Sequence, residues 1–430
     1  MNLILSIVIS ILSYGAVPER ADVNNAGAIN RAIEACAKAG GGFVDVPRGT
    51  FYTGSVYLQS GVRLRLADGA VLMGSPRLDD YAPLRTSADL SRYESGQGTV
   101  NYNSATDPEW SRAMIFAVGL HDAGIEGPGT IDGADVRNPL GEEHMRGPHT
   151  VMVADCERMT FSGFQVRRSA NYAFLAYQIG HSSFTDLHVE GGWDGIHIRG
   201  AERVDILRCD LHTGDDAIAG GYWNRTRIVD CTLNSSCNGI RMIMPSTRVD
   251  VKGCHIYGPG QFEHITSHRT RSEAAINIEP GAWGKAPGRL DRIRISHCRV
   301  DSTLTPLSVT LGDDNTAGRI SVDHLVARGI TRMALSVKSW GTAPTDRVSI
   351  SHADLEFTGI DDPALPAFFK DRPFSEWPVF PCWGMYFRNV GSVSLSDVTL
   401  RVAGKDYREA VMTDNVGQRQ WSSKDVTTVQ

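Results

Sequence analysis

Three aspartates raise the question of chemistry in this chain. The stretch "HTGDDAIAGG" (212–221) sets Asp215 and Asp216 side by side among small and apolar residues, and "GGWDGIHIRG" (191–200) carries Asp194, 22 residues before Asp216. A polar turn needs nothing more than such a pair. Two carboxylates held close in a poorly solvated place, however, repel at a cost on the order of a few kcal/mol if both ionise. One of them then keeps its proton nearer neutral pH, which equips the group for combined general-acid and general-base work. A reaction that needs an acid and a carboxylate base, and neither a metal nor a redox group, is hydrolysis of a glycosidic acetal. Calcium binding is the competing use, because clustered carboxylates also ligate hard cations. Spacing alone leaves both open.

What positions these residues is a repeat. The segments "VDILRCDL" (204–211), "TRIVDCTL" (226–233), "VDVKGCHI" (249–256) and "IRISHCRV" (293–300) align on Cys209, Cys231, Cys254 and Cys298, and "VMVADCER" carries Cys156 in a similar frame. A second column, Phe174, Ile196, Ile218 and Ile240, advances by 22 residues at each step. Short alternating runs rich in β-branched residues read as strands. Two or three of them per repeat, with almost no helix between, predict an all-β chain folded as a single-domain, right-handed parallel β-helix of about 22 residues per coil. Equivalent residues of successive coils then lie about 4.8 Å apart. That register brings Asp194 and Asp216 to neighbouring coils and places Asp215 in the column of Trp193. The column of Ile196 and Ile218 marks the interior, so His197 and Arg199 are expected on the outer wall. Neighbouring strand residues face opposite ways, so Asp215 and Asp216 serve one cleft only if the chain bends, and Gly214 supplies a place for it. The cysteine column is read as buried small hydrophobes.

The ends follow from the same reasoning. "NNAGAINRAIEACAKAGGG" predicts a capping helix that buries Ile29, Ala32, Ile33 and Cys36, begins at Asn24 or Asn25 and stops at Gly40–Gly42. Residues 1–20 are either a poor export signal or a first strand: the apolar run Leu3–Leu12 is too short to span a bilayer and lacks a basic leader and a small-x-small cleavage site. The β-helix is expected over 13–415, with a polar tail at 416–430. The excursions 85–112 and 361–384 are expected to wall one end of the cleft and favour attack at chain ends. A net charge of −6, with no basic block interleaved with aromatics, argues against a nucleic-acid partner, and no segment argues for membrane insertion. Cysteines scattered singly, with no CxxC spacing, argue against a zinc site; no cofactor and no metal are expected.

The chain resembles the polygalacturonases, glycoside hydrolase family 28, from its start to about residue 300. The likeness is carried by "SYGAV", by "AGGGFVDVPRGTFYTGSVYLQSGVRLRLADGAVLMGS" and "IEGPGTIDG", and by two catalytic stretches. Gly192-Trp193-Asp194-Gly195-Ile196 stands where the family has Asn-Thr-Asp-Gly-Ile, and Gly214-Asp215-Asp216 matches its Gly-Asp-Asp. The resemblance implies an inverting hydrolase in which Asp215 is the general acid and Asp194 with Asp216 orients and deprotonates water. It also implies a polysaccharide or oligosaccharide substrate and a secreted or periplasmic protein.

Two departures redirect the substrate. The family's Gly-His-Gly falls on Ser236-Cys237-Asn238, and its Arg-Ile-Lys falls on Asn277-Ile278-Glu279, where a glutamate would repel a uronate. The expected substrate is therefore a pectin-related or other complex polysaccharide rather than plain polygalacturonate. His197 and Arg241, in one outward column with Asn277 on the following coil, are expected to restore the lost positive charge. Trp193 and Trp223 are expected to flank the aspartates as sugar platforms, and "SHRTR" (267–271) is a basic loop within reach. A lyase or epimerase of the same fold, or a glycan-binding solenoid without catalysis, are the alternatives.

Overall fold

The computed structural model describes residues 7–94, 103–282, 284–368 and 379–429. The chain is a right-handed parallel β-helix whose strands pair in parallel from coil to coil. It divides into two compact units, Met1–Asp215 with His264–His268, and Asp216–Glu263 with Arg269–Gln430.

The first unit begins with strand Ile7–Ser10, which pairs with Gly42–Val46, so the described part of the apolar start is a strand. Helix Ala26–Lys38 follows and buries Ala28, Ile29, Ala32, Ile33 and Cys36. Asn24 Oδ1 accepts the Ala26 N–H at 3.0 Å, whereas the Asn25 side chain ties Val17 and Tyr52 together. The helix closes at Gly40 and Gly41, both at positive φ. Strands Ala113–Val118, His149–Glu157, Phe174–Gly180 and Ile196–Glu202 then stack, in a register that sets Val151 on Phe174 and Phe174 on Ile196. Their interior holds stacked rings: Phe161 and Phe184 lie 5.1 Å apart, and Phe174 meets both. Burying each such side chain stabilises by roughly 1.5–3 kcal/mol, which is why coils of three short strands hold without helices.

In the second unit Ile218 pairs with Ile240 and Ile240 with Ile276, so the apolar column continues. The step from Ile240 to Ile276 is 36 residues, because a loop leaves the coil after strand His255–Tyr257. Ser308 and Ser336 extend the column beside it. All eight cysteines are free and buried, and Cys254 hydrogen-bonds to Cys231 and Cys298, as a packed column requires. Residues after 415 differ from the expected tail: strand Glu409–Gln420 continues through that point, and Val426–Val429 pairs with Val398–Arg401. None of the residues of these two strands is buried, which the polar composition there suits. The excursions 85–112 and 361–384 lie partly outside the described residues; within them are the turns Ser91–Tyr93 and Leu365–Phe368. No helix among the described residues is long and apolar enough to cross a membrane.

Candidate active site

Asp194 lies just before strand Ile196–Glu202, on a loop whose shape depends on Gly192. That residue has φ +73°, and a Cβ there would come within 2.8 Å of the Ser169 carbonyl oxygen, so neither the conformation nor the space admits a side chain. Asp194 is 3% exposed, and its Oδ2 lies 2.7 Å from His197 Nδ1. Arg199 Nε donates to His197 Nε2 at 3.1 Å. An arginine N–H can only donate, so Nε2 must carry a lone pair and Nδ1 the proton. His197 is thereby held as the neutral tautomer that donates to Asp194, and its ring is stacked on Tyr172, 4.8 Å away at 4°. This corrects the expectation of an outward, charge-supplying His197. The ring is buried, and its protonation is set by the groups on both of its nitrogens. Arg199 is buried too, its guanidinium donating to the Tyr93 and Asn103 carbonyls at 3.0 Å each. Tyr93 and Asn103, both within the 85–112 excursion, are thus fastened to the strand that follows Asp194. Gly200, at φ +92°, leaves room for the Tyr93 ring to pack.

Asp215 sits in a bend after strand Asp210–Thr213, which confirms the turn expected at Gly214. Its backbone N–H donates to the Trp193 carbonyl at 3.2 Å, and its carbonyl accepts from Thr213 Oγ1 at 2.9 Å. The carboxyl is turned towards two groups that sequence reasoning missed. Arg146 Nη2 is 3.7 Å and His264 Nε2 is 3.8 Å from Asp215 Oδ2. Arg146 is buried, and burial alone would lower its pKa, but Glu142, Tyr172, Asp215 and Glu143 around it raise it overall, so it stays a cation. Its guanidinium lies 3.6 Å from the Trp193 ring centroid, and His264 meets the same indole edge-on at 5.3 Å. Trp193 is therefore covered by protein groups and is no open platform for a sugar. Burial pushes the Glu142 carboxyl above its usual range despite the arginine. His264 stands in the loop that lengthens one coil to 36 residues; that break in period was the available signal, whereas Arg146 in "GEEHMRGPHT" offers none.

In the second unit Asp216 has both oxygens engaged. Asn238 donates to Oδ1 from its backbone N–H at 3.1 Å and from Nδ2 at 2.7 Å, and Arg241 Nη1 lies 3.5 Å from Oδ2. Cys237 stands beside this pair: its Sγ accepts from Asn238 Nδ2 at 3.3 Å and its N–H donates to Ser235 Oγ at 2.8 Å. Arg241 and Asn277 are register partners, as the column predicts. Arg241 is not a free cation, however, because its Nε donates to Glu279 Oε1 at 2.8 Å. Burial would lower its pKa, and Asp216 with Glu279 raises it instead. Trp223 is 1% exposed within strand Ile218–Val229, so its ring is unavailable to a sugar. Lys338, also unforeseen, is buried with its ammonium on Thr310 Oγ1 at 2.8 Å and on Ser308 and Ser336 at 3.3 Å. Burial brings its pKa down to about 8, against the pull of Glu279.

No family model matches the chain. Among curated proteins it is similar to an exo-poly-alpha-D-galacturonosidase of Dickeya chrysanthemi, 33% identical over 137 residues, which are 31% of this chain and 22% of that protein. It is also similar to an exopolygalacturonase of Oenothera organensis, 22% identical over 377 residues, covering 79% of this chain and 92% of that one. Among solved structures, an exopolygalacturonase from Thermotoga maritima matches with a TM-score of 0.59 and 15% identity over 96% of this chain and 92% of that chain. The A-module of a mannuronan C-5 epimerase from Azotobacter vinelandii matches with a TM-score of 0.56 and 10% identity over 98% and 97%. The resemblance to polygalacturonases thus holds in sequence, as that of a divergent relative, and the structural likenesses establish the β-helix.

Proposed function

We propose that this protein is an inverting glycoside hydrolase acting on a pectin-related or other complex polysaccharide, with Asp215 as general acid. Asp194 is the base that takes a proton from water, and Asp216, held by Asn238 and Arg241, orients that water. The observation that carries the reading is the contrast between two carboxyls of one unit. Asp194 is clamped by a neutral histidine that donates to it, whereas Asp215 faces Arg146 and His264 at 3.7 and 3.8 Å. In the reaction the Asp215 proton passes to the leaving glycosidic oxygen as the C–O bond breaks. The oxygen of water forms the new bond to the anomeric carbon, and its proton goes to Asp194. Arg146 and His264 then face the carboxylate that Asp215 has become, which favours the transition state in which that charge develops. Plain polygalacturonate is disfavoured as substrate because Arg241, which would grip its carboxylate, is already engaged by Glu279 and Asp216. The fastening of Tyr93 and Asn103 to Arg199 supports attack at chain ends, and export of the protein fits a polymeric substrate.

The test is reducing-end release from a panel of pectic and microbial polysaccharides, with the anomeric configuration of the first product followed by NMR. The expected result is an inverted product, released by the wild type and lost on the order of 10²–10⁴-fold in Asp215→Asn. A retained anomer, or an unsaturated product absorbing in the ultraviolet, would overturn the mechanism in favour of a different displacement or of a lyase.

A further inference from the structure

On the second unit, in a groove whose lining does not include Asp216, five arginines gather where the composition does not call for them. Arg248, Arg292, Arg294, Arg319 and Arg347 line a groove of about 580 Å³ in a chain whose net charge is −6. The parallel register builds it. Arg319 pairs directly with Arg347, and Arg248 and Arg292 occupy the matching corner of the two preceding coils. Beside that column runs a second one, Asp250, Arg294, Ser321, Ser349, Ser394 and Gln420, each the register partner of the next. Between the two columns Val249, Ile293, Ile320, Val348 and Val393 point inward and are buried, which forces their polar neighbours out.

Most of this charge is uncommitted. Arg292 leans on Asp291 at 3.2 Å and Arg248 on the Asn224 amide at 2.9 Å. Among the described residues no carboxylate pairs with the Arg294, Arg319 or Arg347 guanidinium. Asp250 is the one acidic residue of the lining. Holding unpaired like charges together costs stability, and the fold spaces them at the coil repeat of about 4.8 Å, of the order of one sugar residue.

We propose that this groove is a second, non-catalytic binding site for an acidic polysaccharide, a run of uronate residues laid along the stack of coils. Arginine forks match carboxylates in two-point contacts. The serines and Gln420 provide hydroxyl and amide partners for sugar hydroxyls coil after coil. None of the lining residues is aromatic, so the base-stacking surface of a single-stranded nucleic-acid site is missing. The choice of ligand rests on the glycan reading of the protein, and the site itself on the arginine geometry. In this arrangement the groove would retain the enzyme on an anionic polymer.

The experiment uses the full chain carrying Asp215→Asn, so that binding is read without turnover, with de-esterified oligogalacturonate, a neutral glucan of equal length and inorganic polyphosphate as probes. Binding to oligogalacturonate that weakens with added NaCl, exceeds that to both other probes, and falls at least 10-fold in Arg294→Glu/Arg319→Glu supports the site. Arg294→Gln/Arg319→Gln, which removes charge without reversing it, is expected to give a smaller loss with an unchanged melting temperature. Equal binding of polyphosphate per charge, equal binding of the neutral glucan, or undiminished affinity in the glutamine pair overturns it. The same arginine pairs placed in the otherwise wild-type chain are expected to leave cleavage of short oligosaccharides unchanged. The groove and the catalytic assignment therefore fail separately.

Discussion

His197 offers the sharpest test of how the aspartates are set. Its Nδ1–H donates to the buried Asp194 carboxylate at 2.7 Å, and its Nε2 accepts from Arg199. A hydrogen bond to a charged group is worth about 1.5–3 kcal/mol. His197→Leu removes it without supplying another donor, and at about 1.36 kcal/mol per decade the loss corresponds to a rate about 10- to 150-fold lower. His197→Asn places an amide Nδ2–H close to where Nδ1–H stood, while giving up the contact to Arg199. It is expected to keep activity within about 10-fold of the wild type. Both variants are measured by reducing-end release on the polysaccharide that the panel identifies, with kcat and KM separated and melting temperatures recorded. The reasoning predicts a fall in kcat with little change in KM, because Asp194 is assigned to the water and not to sugar binding. If the leucine variant matches the wild type, or the asparagine variant is as slow as the leucine one, the bond to Asp194 does not matter to the chemistry and the base has been placed wrongly.

Other consequences are open to measurement. Glu279→Gln releases Arg241 from its partner, so the KM for uronate-containing oligosaccharides should fall several-fold while that for neutral ones stays constant; no change would show that Arg241 does not meet substrate. Lys338 has a folded pKa of about 8 against an ordinary 10.5, so below pH 8 the folded protein carries an ammonium that burial penalises. Between pH 8 and 10.5 the unfolded chain still binds that proton and the folded one does not, so stability rises across that window by about 3 kcal/mol. Denaturant titrations should show this rise in the wild type and not in Lys338→Met. Arg408 and Asp406 form a buried pair, the guanidinium also donating to the Phe380 carbonyl at 2.8 Å. Arg408→Met leaves the carboxylate alone and should cost about 3–5 kcal/mol in the same titration. With every cysteine buried, a thiol reagent should label the native protein far more slowly than the urea-unfolded chain; fast native labelling would contradict the packed column.

The coil was legible because it is periodic. A strand of alternating pattern repeated every 22 residues has few ways to bury its apolar face other than by stacking, so Phe174, Ile196 and the cysteine column mark the interior in the sequence itself. The same arithmetic located Asp194, Asp215 and the partnership of Arg241 with Asn277. Periodicity says which residues share a column, but not what the loops between columns bring back. Arg146 and His264 reach Asp215 from loops, where no period constrains them. The burial of His197, Trp193 and Trp223 likewise depends on what covers the outer wall, a fact of packing and not of spacing. Protonation was decided at the same level: the Nδ1 tautomer of His197 follows from Arg199 at its other nitrogen, and the depressed Lys338 from burial among three hydroxyls. Sequence by itself determined the scaffold and the order of its columns, because backbone pairing and apolar burial are repeated local rules. Tertiary structure alone decided which charges meet, because electrostatic partners are chosen by distance through space and by exclusion of water.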